Sequence, residues 1–295
     1  MKKLRILINP IAGHGFAPRI ASLVDQSSLL KNYEVDTQTT EYAGHAAELA
    51  RAAVNEGYDC VVAAGGDGTV NEIAAQLVHT STALAIIPAG SGNGLARHLG
   101  FSLKYPLTLE QIAAAERSSI DTLSINNRFA VNVSGFGFDG LVAWRFNHEG
   151  KRGLSNYTKI ALQEYFKYPI IRFQLDIDGE PMDKEAHMLV IANASQFGNA
   201  AVIAPRAELN DGLMDLVIVK RPPALQLPAM FFKLFNGTLR DNQFVKTIKC
   251  NKFTATSNRP IHLHIDGEAV EPLHKIAVAV LPSSLNVLKP LQHAK

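Results

Sequence analysis

Cysteine is scarce: the 295 residues contain two, Cys60 and Cys250, far apart and without a Cys-x-x-Cys spacing. A disulfide framework and a thiolate zinc site are therefore disfavoured, and a reducing compartment fits best. Excess charge of one sign is lacking as well, since 29 Lys and Arg stand against 27 Asp and Glu. A net charge of +2 is too small for a nucleic-acid coat, although a pI of 8.4 suits an anionic surface or substrate. No nucleic-acid partner is expected. The 21 Gly and 14 Pro are scattered, so no low-complexity tract forms, and no internal repeat is visible. Long apolar runs are missing too. The basic N-terminus MKKLRILINP is too short in apolar residues for a signal peptide, and residues 224–235 are interrupted by Pro228 and Lys233. The expectation is a cytoplasmic chain, in water or peripheral on the inner membrane face, that does not cross a bilayer.

What is present is a chain built to bury a core, 47% apolar and 19% charged, with the length of about two domains. Residues 4–8, 34–40, 60–64 and 84–87 read as strands. Helical spacing in 44–56 and 70–78 separates them. Continuous apolar strands alternating with helices predict a parallel sheet covered on both faces, with ligands at the strands' carboxyl ends. From about residue 121 the texture changes to short alternating strands at 129–133, 172–177, 188–192, 214–219 and 262–266. Helical inserts are expected at 156–166 and 225–235. The predicted boundary lies near residue 123, giving domains 1–123 and 124–284, with 285–295 able to return to the first.

Ala64-Gly65-Gly66-Asp67-Gly68-Thr69-Val70-Asn71-Glu72 follows a strand and opens a helix. Consecutive glycines let backbone N–H groups approach an anion, and the helix start adds partial positive charge, which makes a phosphate cradle. Asp67 would repel phosphate unless a cation intervened, so a magnesium-bound nucleotide is implied. The plainer alternative is a β-to-α turn with Asp67 as a helix cap. Pro88-Ala89-Gly90-Ser91-Gly92-Asn93-Gly94 is a second such loop, and Asn9-Pro10-Ile11-Ala12-Gly13-His14-Gly15 a third. All three fall at strand ends on one rim. No GxxxxGK[ST] occurs, so the lysine of P-loop enzymes is missing. Gly135-Phe136-Gly137-Phe138-Asp139-Gly140 matches GxGxxG, but without a regular βαβ unit around it.

In the second half, Asp211-Gly212 and Asp266-Gly267-Glu268 are first of all turn signals, yet a carboxylate at a turn tip can reach a ligand. His262, His264 and Asp266 would share a strand face, a weak zinc pattern. Aromatic and basic residues interleave from Trp144 through Lys151, Arg152 and Tyr157 to Tyr168, and Met230, Phe231, Phe232, Leu234 and Phe235 add a greasy patch. Both groups are core, or, if exposed, suit docking on an anionic bilayer.

In its ordered motifs the chain resembles the diacylglycerol kinase catalytic family, in its bacterial lipid-kinase and sphingosine-kinase-like branch. The resemblance rests on Asn9-Pro10 with Gly13, the Gly65 to Glu72 run, Pro88 to Asn93 followed by Ala96-Arg97, Gly135 to Asp139, Ala204-Pro205 with Asp211-Gly212, and Asp266-Gly267-Glu268. It implies an ATP-dependent kinase with an N-terminal Rossmann-like α/β domain and a C-terminal β-sandwich domain for a lipid substrate, acting between the two. By that similarity Thr40, Gly65, Gly66, Asp67, Gly68, Thr69, Val70, Asn71, Ser91 and Asn93 contact ATP, and Asn9 supports the loop. Glu268 matches the general base, and Asp67 is carried with it as a catalytic carboxylate. Asp211, with the carbonyls of Glu208 and Leu213, matches a structural Mg²⁺ site. Gly94 departs from the Asp of many bacterial members, which puts the acceptor lipid in doubt more than the reaction. An NAD kinase-like enzyme with a soluble acceptor and a catalytically inactive nucleotide-binding regulator are the competing readings. A homodimer stays open.

Overall fold

The computed structural model describes residues 1–14, 17–26, 30–149 and 154–291. Gly15, Lys151, Arg152 and residues 292–295 lie outside the described residues. The chain divides into two compact units, Met1–Ile120 with Ser283–Lys295, and Asp121–Pro282.

The first unit runs β1 (Lys2–Ile8), α1 (Ala17–Gln26), β2 (Tyr33–Thr39), α2 (His45–Asn55), β3 (Cys60–Gly65), α3 (Asp67–Leu77), β4 (Ala83–Pro88), α4 (Gly94–Leu99), α5 (Tyr105–Ala113) and the start of β5 (Glu116–Ile125). Strands pair in parallel in the order β2-β1-β3-β4. β3 and β4 are buried from end to end, as their unbroken apolar runs require. Each fully buried Val, Leu or Ile contributes about 1.5–3 kcal/mol against exposure. The strand order reverses between β1 and β3, and at such a switch point the loops splay apart outside the carboxyl ends. Helix α3 begins at Asp67, a turn earlier than apolar periodicity suggests. Its first turn carries an acidic residue, which the helix dipole favours.

The second unit continues with β6 (Arg128–Ala130), β7 (Val133–Gly137), α6 (Phe138–His148), α7 (Leu154–Tyr165), β8 (Ile171–Ile177), β9 (Glu180–Ala186), β10 (Met188–Ala192), β11 (Met214–Val219), α8 (Leu227–Phe235), β12 (Val245–Cys250), β13 (Lys252–Ile265) and β14 (Glu268–Lys289), whose last residues return to the first unit. Its pairings are antiparallel. Leu189, Ile191, Leu216 and Ile218 point into one buried cluster. Val190, Ala192, Val217 and Val219 point into another on the opposite face. Both faces of β10 and β11 are therefore covered, so neither strand alternates between buried and exposed residues as the sequence texture suggested. β8, buried on alternate residues, has a single covered face.

Helix α6 was not expected, because its apolar residues do not form one stripe. The GxGxxG glycines serve its packing. A Cβ on Gly135 would fall 1.8 Å from the Asp139 carboxylate, and one on Gly140 would fall 2.3 Å from the His262 carbonyl. Neither glycine marks a dinucleotide loop.

Candidate active site

At the rim of the first unit the loops after β1, β3 and β4 are tied together by side chains. Asn9 Nδ2 donates to Thr69 Oγ1 at 2.9 Å, while Asn9 Oδ1 accepts the Ile11 N–H. Asn9 thus spans the switch point between β1 and β3. Gly66 and Gly90 meet backbone to backbone: a Cβ on Gly90 would lie 2.5 Å from Gly66 Cα. Only glycine permits that approach. Asn93, at φ 54°, closes its own loop, accepting the Gly90 N–H at 2.9 Å and donating to the Gly90 carbonyl at 2.7 Å.

Asp67 holds the two loops in register. One carboxylate oxygen accepts the Asn93 N–H at 2.8 Å and the other the Gly94 N–H at 2.7 Å. It caps the start of α4 from the neighbouring loop, and the cap position of its own helix α3, which the sequence offered for Asp67, falls on Gly66. Burial raises its pKa, against the pull of those N–H groups and of Arg97. Gly66 precedes α3 with no side-chain cap, so N–H groups of the first turn have no acceptor within the helix. That leaves main-chain donors at Gly68 and Thr69 for an anion.

The remaining expected nucleotide contacts divide. Thr40 follows β2 and is buried, its N–H on the Ile8 carbonyl at 2.9 Å. Ser91 is exposed on the second loop, and Asn71 is half-buried one turn into α3. Val70 does not belong with them. Its side chain is in the core and its N–H donates to the Gly66 carbonyl within the helix, so neither group is free for a ligand.

In the second unit Asp266 and Gly267, both at positive φ, form the two-residue turn between β13 and β14, and Glu268 opens β14 as an exposed carboxylate. Buried Asp266 fixes the turn by accepting the Val131 N–H at 2.8 Å and the Asn132 N–H at 3.0 Å. A second brace was not foreseen. Gly267 N–H donates to His264 Nδ1 at 3.2 Å, and His264 Nε2 lies 3.4 Å from the buried Asp139 carboxylate with no hydrogen bond between them. Asp139 is distant from His264 in sequence, and α6, whose Gly140 packs against the His262 carbonyl, brings the two near each other. His262, His264 and Asp266 thus have separate partners, and His262 packs against Trp144.

The magnesium site implied for Glu208, Asp211 and Leu213 does not fit the donors present. Asp211 Oδ2 accepts the Lys249 ammonium, and Oδ1 the Leu213 N–H at 3.1 Å. Lys249 stands opposite Asp215 in the β11–β12 register. The cation at this place is the chain's own. Among the described residues no three His, Cys, Asp or Glu side chains gather to hold a metal.

Away from the turn, an apolar cavity of about 150 Å³ lies inside the second unit between α7, α8 and the strands beneath. Leu162, Met188, Val219, Met230, Phe231 and Leu234 are among its walls, and no polar atom opens onto it. Tyr165 ties its edges by donating from the hydroxyl to the Pro222 carbonyl. His187 sits buried behind the wall, stacked on Phe138, with neither ring nitrogen hydrogen-bonded. Burial lowers its pKa to about 4.

Comparison with known proteins matches residues 3–125 to the diacylglycerol kinase catalytic domain and residues 132–289 to the YegS C-terminal NAD kinase beta sandwich-like domain. A diacylglycerol kinase of Mycobacterium tuberculosis is 30% identical over 98% of this chain and 95% of that protein. The chain belongs to the diacylglycerol kinase catalytic family. Another relative of that name, from Bacillus subtilis, is 26% identical over 91% of the chain and 90% of its own length. A crystal structure of a putative diacylglycerol kinase from Bacillus anthracis, 20% identical, superposes with a TM-score of 0.78 over 98% of this chain and 96% of that one, which supports the fold. The first family model spans the three rim loops. The second spans the Glu268 turn, the Asp211–Lys249 pair and the cavity. As a family member this is a lipid-kinase-type phosphotransferase. Among the described residues no helix is long and apolar enough to cross a membrane.

Proposed function

We propose that the chain transfers the γ-phosphoryl group of ATP to the hydroxyl of a lipid such as a diacylglycerol or a sphingoid base. The observation that carries this reading is the pairing, in one family member, of a main-chain anion cradle clamped by Asp67 with a cavity walled by carbon. Phosphoryl transfer asks a protein mainly to position and to neutralise charge. The N–H groups of Gly68 and Thr69 hold phosphate oxygens, and Asn9 keeps Thr69 in place. Thr40, Asn71 and Ser91 stand at the same rim to contact the nucleotide. Mg²⁺, arriving with ATP, supplies charge neutralisation at the triphosphate. Glu268 accepts the proton of the attacking hydroxyl, held in position by the Asp266–Gly267 turn, which the Val131 and Asn132 N–H groups and His264 Nδ1 fix.

Purified protein with labelled ATP, Mg²⁺ and vesicles carrying diacylglycerol, monoacylglycerol, sphingoid base or ceramide tests the reading. A labelled phospholipid product is expected from at least one. Label transfer to a soluble acceptor such as NAD, with the lipids ignored, refutes it. Glu268→Gln should lower kcat by about 10² to 10⁴ with ATP affinity kept, the usual worth of a general base. Near-full turnover in that variant removes Glu268 from the role.

A further inference from the structure

Glu268 stands exposed at the opening of β14, and among the described residues no hydrogen bond or ion pair holds its side chain. Its aim is set by its own backbone, and the backbone there is the turn. Asp266 fixes the entrance to that turn by accepting the Val131 and Asn132 N–H groups. The exit is less confined. A Cβ on Gly267 would meet nothing within 4 Å, so no neighbour packs against this residue, and its φ of 91° reflects the turn alone. A peptide with open space around it rotates unless hydrogen bonds on its own N–H and C=O stop it.

Side chains grip Gly267 at both ends. Its N–H donates to His264 Nδ1 at 3.2 Å, and its carbonyl accepts from Asn147 Nδ2 at 3.3 Å. That carbonyl belongs to the peptide that enters Glu268, so Asn147, 120 residues earlier in the chain, sets the plane from which the carboxylate departs. Helix α6 is built to deliver it. Gly140, Trp144 and Asn147 recur at i, i+4 and i+7 and share one helix face. That face follows β13 toward the turn: a Cβ on Gly140 would fall 2.3 Å from the His262 carbonyl, the Trp144 ring lies edge-on to His262 with centroids 5.7 Å apart, and Asn147 meets Gly267. Trp144 also stacks on His148 at 4.1 Å, and His148 Nδ1 donates to the Trp144 carbonyl at 2.7 Å, which stiffens the last turn of α6. The Asn147 bond is exposed and adds little to the stability of the fold. What it governs is where Glu268 points.

We propose that Asn147 is a positioning residue for Glu268, acting through the Gly267 carbonyl and in concert with His264. Its part in turnover rests on the reading of Glu268 as the general base; its hold on the turn does not, and is measured without ATP.

Asn147→Leu removes the donor and leaves a better helix former in α6, so the fold survives. Amide hydrogen exchange at residues 266–268 of the full chain should quicken by at least about twofold in this variant, and Asn147→Gln, which keeps an amide donor, should restore it. Turnover is read with labelled ATP, Mg²⁺ and vesicles carrying diacylglycerol, monoacylglycerol, sphingoid base or ceramide. Asn147→Leu should lower kcat by about tenfold with KM for ATP unchanged, because a misaimed base loses rate and not nucleotide binding, and Asn147→Gln should recover most of it. In a Glu268→Gln background Asn147→Leu should cost nothing further, since a residue that acts through the base has nothing left to position. Exchange at 266–268 unchanged by Asn147→Leu overturns the proposal. So does an equal loss of kcat in the Glu268→Gln background, or a rise in KM for ATP that accounts for the loss. Full turnover in Glu268→Gln alone, or wild-type protein inactive on every lipid, refutes the general-base reading and the positioning role with it, while the exchange result shows separately whether Asn147 holds the turn.

Discussion

Around Gly66 and Gly90 in the first unit, side chains of Asn9, Asp67 and Asn93 hold backbone at fixed distances, and what is left for a ligand is a set of N–H groups. Around α8 in the second unit nothing polar faces the cavity, and what is left is shape. A triphosphate makes the same demands of every protein that binds it, so the rim is rigid and motif-like. An acyl chain asks only for dry volume, which many side chains supply, so the cavity has no motif.

Gly90→Ala breaks the rigid side of this contrast hardest. Its Cβ meets the Gly66 backbone, which cannot yield as a side-chain tip can. We expect kcat/KM for ATP to fall by at least about 10²-fold, the worth of roughly an ångström of misplacement, with circular dichroism unchanged. Wild-type kinetics in this variant would show that the loops need not touch.

How much of this was legible in the sequence follows the same division. The three rim loops announce themselves, because glycine where backbones meet has no substitute, and the continuous apolar runs of β3 and β4 reveal strands covered on both faces, whereas β10 and β11 read as alternating segments and are buried at all but one of their residues. Asp67 was legible as a residue of consequence, but its partners on the next loop were not, since main-chain N–H groups leave no residue signature. The same holds for the bond from the Gly267 N–H to His264. Helix α6 escaped notice for want of a single apolar stripe, and it carries Asp139. The greasy segment at α8 was visible, yet only the fold separates the residues that line the cavity from those that face outward. Lys249 gave no sign of its pairing with Asp211 until β11 and β12 were seen side by side.

The two units share one weakness, in acid. His98 in the first and His187 in the second are both lowered by burial to about 4, from an ordinary 6.5. Each is neutral in the folded chain and protonates more readily when unfolded. Their contribution is intact above pH 6.5 and is lost as pH falls toward 4. Urea midpoints should drop across that window, and His187→Phe should flatten the second unit's share. An unchanged slope would contradict the burial argument.

Met230→Trp tests the shape side. Filling the cavity should lower kcat/KM for long-chain acceptors by about tenfold while leaving KM for ATP alone, since overpacking costs about 1–3 kcal/mol. If long-chain turnover is unaffected, the chain is seated elsewhere. The smallest effect is expected at Lys249. The wild-type melting temperature should be the same in Mg²⁺ and in chelator, whereas Lys249→Met, which leaves Asp211 and Asp215 without their cation, should melt lower by about 2–4 °C and recover with Mg²⁺. Wild-type protein that melts lower in chelator would restore the metal site.

The most direct measurement follows amide hydrogen exchange with and without Mg²⁺ and a non-hydrolysable ATP analogue. Slowed exchange at residues 66–70 and 90–95, with the Gly90→Ala variant unprotected, is the predicted result. Exchange at those residues unchanged by the analogue, in protein that consumes ATP, would contradict the claim that main-chain nitrogens of the first unit hold the nucleotide.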